Sequence, residues 1–150
     1  MPTSSRFVVA VHILTLLDHE GERPVTSEYI ARSVNTNPGV IRRLLSQLAR
    51  AGLVTSRLGA GGGALLAKPA SRIRLVDVYR AVESAHVFAL HHSPPNPHCP
   101  VGKHIQATLS TVLHRAERAL ETQLGDVTVA DVGRSVAVRG GRPAGNLAWR

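Results

Sequence analysis

Residues 26–63 read TSEYIARSVNTNPGVIRRLLSQLARAGLVTSRLGAGGG, and this stretch decides the fold. Thr26 or Ser27 caps a short helix whose inward residues are Tyr29, Ile30, Ala31 and Val34. Asn35-Thr36-Asn37 breaks it. Asn37 is a good N-cap, and Pro38 falls at the first helical position, where its missing N–H costs nothing. The next helix runs to about Ala51, with Gly52 placed to end it. Ile41, Leu44, Leu45 and Leu48 share one face, and Gly39, Arg42, Arg43, Ser46, Gln47 and Arg50 share the other. Leu53–Ser56 and Ala64–Ala67 read as strands around a glycine-rich loop. The pattern is helix, turn, helix, hairpin.

The charge pattern supports the same stretch. No acidic residue occurs from Tyr29 to Val76, while Arg32, Arg42, Arg43, Arg50, Arg57, Lys68, Arg72 and Arg74 all fall there. A phosphate polymer suits such a surface, because each phosphate neutralised releases a condensed counterion. The whole chain of 150 residues has a formal net charge of +8, which points to nucleic acid or an anionic surface. Only 3% of residues are aromatic, too few for the stacking platforms of single-strand binders. Double-stranded DNA is the expected partner.

Outward from this core, Arg6 to His19 reads as a first helix, capped by Ser4 or Ser5. It is apolar nearly all round, which predicts burial on several sides and contact with a partner subunit. Leu75 to Ser84 forms another short helix, and HHSPPNPH, His91 to His98, is a proline-rich loop. Pro100 opens a long helix to about Gln123, roughly 36 Å long. Val101, Ile105, Leu109, Val112, Ala116 and Leu120 form its apolar stripe, read as a dimerisation face with packing on its own domain as the alternative. Thr128 caps a last short helix. The expected organisation is a DNA-binding domain over 1–84, a Pro/His-rich loop over 85–99, a dimerisation helix and short C-terminal helix over 100–136, and a disordered tail over 137–150. The N-terminal apolar run is too short to span a bilayer and lacks a cleavage site. With one cysteine there is no disulfide framework, so a cytoplasmic location without membrane contact is expected.

A helix-turn-helix sets its second helix in the major groove, and residues near that helix's start reach base edges. Thr36, Asn37, Val40 and Arg43 occupy those positions. Arg pairs with guanine and Asn with adenine, although a capping Asn is occupied by its own backbone. Thr26 and Ser27, at a helix start, suit phosphate contact. Arg42 and Gln47 face base or backbone. Arg57 at the base of the hairpin reaches a phosphate or the minor groove, and Gly59 permits a close backbone approach. Gly59 to Ala64 also spells G-x-G-x-x-A, but that fingerprint needs a following helix where the sequence offers a strand. No phosphate loop, metalloprotease helix or nucleophile elbow is present, so no enzyme is expected.

These motifs resemble the Rrf2 family of winged-helix transcription regulators. The resemblance rests on the helix-turn-helix, the hairpin SRLGAGGGALLAKP, the segment IRLVDVYRAVE, and CPVGKHI at Cys99–Ile105. The opening SSRFVVAVHIL and CPVGKHI look most like the YwnA-type branch. The resemblance covers about residues 4–125. It implies a mainly α fold: a winged helix-turn-helix domain with a two-stranded wing and a long C-terminal dimerisation helix. It further implies a homodimer on a palindromic operator, usually a repressor. Where the family's wing carries a basic residue and a Tyr, this chain has Gly61 and Ala64, which shifts the expected DNA contact toward the recognition helix.

Some members of the family hold an iron–sulfur cluster through three cysteines before the long helix; here only Cys99 stands there, so no cofactor is expected. His91, His92, His98 and His104 surround it as candidate ligands for zinc, nickel or copper, or as a polar loop that is merely His-rich. Cys99 precedes Pro100 and so caps the long helix, where a thiolate is favoured and oxidation becomes selective. A regulatory thiol and an inert cap are both consistent with that position. Two other classes stay open: a redox- or metal-handling protein with an incidental basic face, and a non-specific architectural nucleic-acid binder.

Overall fold

A computed structural model describes residues 4–84 and 86–141. Its elements are α1 (Arg6–Glu20), α2 (Ser27–Val34), α3 (Pro38–Arg50), β1 (Val54–Arg57), β2 (Gly63–Leu66), a 3-10 turn at Ala70–Arg72, α4 (Leu75–Val82), α5 (Pro100–Gly125) and α6 (Val129–Arg139). The fold is mainly helical with one two-stranded antiparallel sheet, as expected. The core gathers Ile13, Leu14 and Leu17 of α1, Ile30 of α2, Ile41 and Leu48 of α3, Leu53, Ile73, Val78 and Val129, each nearly inaccessible to solvent. Burying each such side chain contributes roughly 1.5–3 kcal/mol.

Local signals explain the element ends. Thr26 accepts a bond from the Tyr29 amide at 3.2 Å, and Asn37 accepts one from the Gly39 amide at 2.7 Å. Asn35 ends α2 in the left-handed conformation, with the Thr36 amide returning to Ala31 at 2.9 Å. Gly52 follows α3 at φ +73°, and the Leu53 amide returns to Leu48 at 3.0 Å. That pair of features is a helix stop satisfied by backbone alone. Of the two serines expected to cap α1, Ser4 contributes and Ser5 does not. Ser5 makes no side-chain cap. Ser4 Oγ accepts from the Arg6 amide at 3.3 Å, and Glu83, at the end of α4, accepts from the Phe7 amide at 3.1 Å. A carboxylate from a distant element therefore does much of the capping, which no local pattern reveals.

The wing forms where the sequence placed it, with each strand set one residue nearer the turn: Val54 pairs with Leu66, and Arg57 with Gly63. Ala64 also pairs with Val25, through bonds of 3.0 and 2.8 Å. Gly63 is required there, because a Cβ would sit 2.6 Å from the Val25 backbone.

Two helices sit differently from their expected groupings. α6 packs on α1 and the 3-10 turn, and its Val129 is fully buried, so it belongs to the winged body rather than to the long helix. The apolar sides of α1 are covered by α2, α4 and α6 of the same chain; Val8, 66% exposed, is its chief uncovered apolar residue. The all-round pattern is thus satisfied largely within one chain. The proposed tail, 137–150, begins inside α6, and residues 142–150 lie outside the described residues.

α5 leans on α4 through its C-terminal half, where Arg80 bonds Glu121 at 2.6 Å. No residue of α5 is fully buried. Val101 and Val112 are 67% and 54% exposed, and Leu120 is 38% exposed. At about 100° per residue, Val112 and Ala116 lie about 100° or more from Glu117 and Glu121, while Leu120 stands about 60° from Glu117 and borders the side that meets α4. No described helix is long and apolar enough to cross a membrane.

Candidate nucleic-acid interface

α2, its turn and α3 form the helix-turn-helix, and β1–β2 stands beside it as the wing. Burial of Ile41, Leu44 and Leu48 fixes the rotation of α3, which leaves Arg42, Arg43, Ser46 and Arg50 exposed. Arg43 forms no ion pair or hydrogen bond among the described residues. Arg57 is exposed at the end of β1. Gly59, at φ +88°, has open space where a Cβ would stand, which suits a wing tip approaching another surface.

Other candidates are already engaged. Asn37 uses Oδ1 for its cap, and Gly39 leaves room for it: a Cβ on Gly39 would lie 2.9 Å from that oxygen. The two-ended pairing of Asn with adenine competes with that bond. Thr26 spends its hydroxyl on Tyr29, and Ser27 donates to Glu28 at 3.1 Å. Val40 is half-buried against the core, and Thr36 and Gln47 are half-buried.

Glu28 is the residue the charge pattern missed. It lies one position before the acid-free run, yet the first turn of α2 brings it to Arg42 at 2.7 Å. Its carboxyl is held below the usual range by its own backbone amide, then by Arg42 and Ser27. One anion therefore stands inside the basic surface. Leu58, 91% exposed at the wing, was also not singled out by the sequence pattern. β2, not a helix, follows the glycine run, so the dinucleotide fingerprint lacks its structural context.

Cys99 occupies the N-cap position of α5 and is exposed. It makes no full cap bond, but the amides of Gly102 and then Val101 face the sulfur and lower the thiol pKa. The chain folds tightly here: a Cβ on Gly102 would meet the Asn96 carbonyl at 2.5 Å. His91, His92, His98 and His104 are not gathered into a group of three or more ligands among the described residues.

Comparison with known proteins agrees with this architecture. The family profile described as "Rrf2: Iron-dependent Transcriptional regulator" matches residues 3–135. YwnA of Bacillus subtilis (strain 168), named as a transcriptional regulator of helix-turn-helix type, is 44% identical over 129 residues, covering 86% of this chain and 95% of YwnA. A crystal structure of a protein described as DNA-binding, also 44% identical, superposes with a TM-score of 0.69 over 85% of this chain and 98% of the other. A transcriptional regulator from Lactobacillus plantarum, 27% identical, gives a TM-score of 0.77 over 91% and 92% of the two chains.

Proposed function

We propose, starting from a chain that belongs to the Rrf2 family of DNA-binding transcriptional regulators, that it acts as a homodimeric repressor on a palindromic operator and not as an enzyme. The observation that carries this reading is Arg43, exposed and without an ion pair among the described residues, near the capped start of α3. From there a guanidinium reaches a guanine edge in the major groove. Arg57, exposed at the end of β1, then suits a phosphate, a contact that fixes register without reading sequence. The exposed members of the α5 apolar stripe, Val101, Val112 and Leu120, support a two-fold dimer, and a two-fold dimer reads an inverted repeat with half-sites about 34–36 Å apart or a multiple of it.

An iron–sulfur cluster does not fit the donor set, since such clusters need several thiolates and the chain has Cys99 alone. Cys99 itself suits a thiol switch. With a peroxide as oxidant, the thiolate becomes a sulfenic acid and hydroxide leaves. The helix start that favours the thiolate is also the start of the dimer helix, so oxidation there acts on the element that sets half-site spacing.

Arg43→Ala tests the base-reading role. Titration against single-base operator variants should show a loss of ~1–3 kcal/mol confined to one base pair of each half-site. An equal loss on every sequence would reassign Arg43 to phosphate. Cys99→Ser should abolish peroxide-driven operator release; an unchanged release removes Cys99 from that role.

A further inference from the structure

A second cluster, away from the DNA-facing surface, has the composition of a metal site. His114 and Glu117 are three residues apart on α5 and share a face. His86 comes from the segment after α4. One ligand atom from each lies within 4.8 Å of the others. His86 Nδ1 is 3.6 Å from Glu117 Oε2, and the two imidazole centroids are 6.3 Å apart. Two ligands about 2.05 Å from a tetrahedral ion stand about 3.3 Å apart, so this pair closes with a small side-chain adjustment. The imidazoles are exposed, so their rotamers are free to make it.

Glu117 is already oriented. Its Oε1 accepts the Val87 amide at 2.9 Å, which leaves Oε2 toward His86. Outer hydrogen bonds of this kind fix a ligand's rotamer. A simple ion pair docking His86 on α5 accounts for one imidazole. It gives no reason for the second, which also stands against the same carboxylate.

We infer that His86, His114 and Glu117 form a site for a divalent first-row transition ion of the zinc type, with the fourth position open to water. Two imidazoles and a carboxylate suit zinc, whereas magnesium and calcium take oxygen ligands. His114 is two residues from Val112 and from Ala116, about 160° round the helix from both, so it points away from the apolar stripe, while Glu117 stands at the stripe's border beside Leu120. The bound ion ties the connector after α4 to the long helix, at the join between winged body and α5. This inference does not depend on the DNA-binding reading and survives its failure.

Titration of the untagged full chain with Co²⁺, read by its visible d–d absorption, tests it. One Co²⁺ per chain with the strong absorption of a four-coordinate ion is expected, displaced by stoichiometric Zn²⁺ and not by Mg²⁺. Glu117→Gln and His114→Ala should each weaken binding at least about tenfold, with circular dichroism confirming unchanged helix content. Glu117→Gln keeps an acceptor for the Val87 amide, so it separates ligation from folding. Weak six-coordinate absorption, or binding unchanged in both variants, overturns the site. So does binding lost only in the His98→Ala/His104→Ala double variant.

Discussion

Arg42 and Arg43 are neighbours on α3 with different electrostatic circumstances. Arg42 is held by Glu28, and Arg43 has no anionic partner among the described residues. Glu28→Gln should therefore free Arg42 and remove a negative charge from the surface. DNA affinity should rise on all sequences, and the salt dependence should steepen by about 0.9 in log–log slope if Arg42 then meets a phosphate. Unchanged affinity and slope would mean that Arg42 does not approach DNA. Protonation of Glu28 has the same sign, but its depressed pKa confines that effect to pH below the ordinary carboxylate range. Cys99 permits a second test at this scale. The pH profile of its alkylation should have a midpoint below that of an unperturbed thiol, because the Gly102 and Val101 amides favour the thiolate. A midpoint at or above the ordinary value contradicts the cap geometry. The cap at Asn37 was legible in the sequence because a cap is a local device, spelled by Asn before Pro-Gly. Glu28 was not: it ends the acid-free run in one dimension and enters its middle in three.

The elements differ in how far local chemistry dictates them. α3 is announced by Asn37-Pro38, its apolar spacing and Gly52, and the structure keeps all three. The wing needs a partner that the hairpin sequence does not mention, the Val25 backbone. Gly63→Ala should push the wing off Val25 and cost ~1–3 kcal/mol, the range for a methyl forced into a packed site. A urea midpoint equal to wild type would show that the wing relaxes freely. α6 was legible as a helix through Thr128, whose hydroxyl accepts the Asp131 amide at 3.1 Å while Asp131 accepts the Thr128 amide at 2.8 Å. Its packing on α1 was not, because α6 is joined through Val127 and Val129 to the strand-like segment before α4, far away in sequence. Thr128→Ala should cost about 1 kcal/mol of stability.

Across the whole molecule, the chain divides its surface by face. α3 and the wing carry exposed Arg42, Arg43, Arg50 and Arg57, α4 occupies one side of α5, and Val101, Val112 and Leu120 of the α5 stripe are exposed. No residue of the long helix is buried, and the proposed dimer would cover its exposed apolar side chains. Val112→Glu on that stripe should shift the sedimentation of the chain from dimer to monomer while helix content stays constant, and operator affinity should fall with it. A dimer of undiminished stability would move the interface elsewhere. The central claim is sequence-specific recognition by a two-fold dimer. Repeated selection from a random double-stranded DNA pool at physiological salt tests it most directly. An inverted repeat bound by two chains per duplex is the predicted result. A pool that enriches no sequence, with weak binding lost equally from all of it as salt rises, would contradict it.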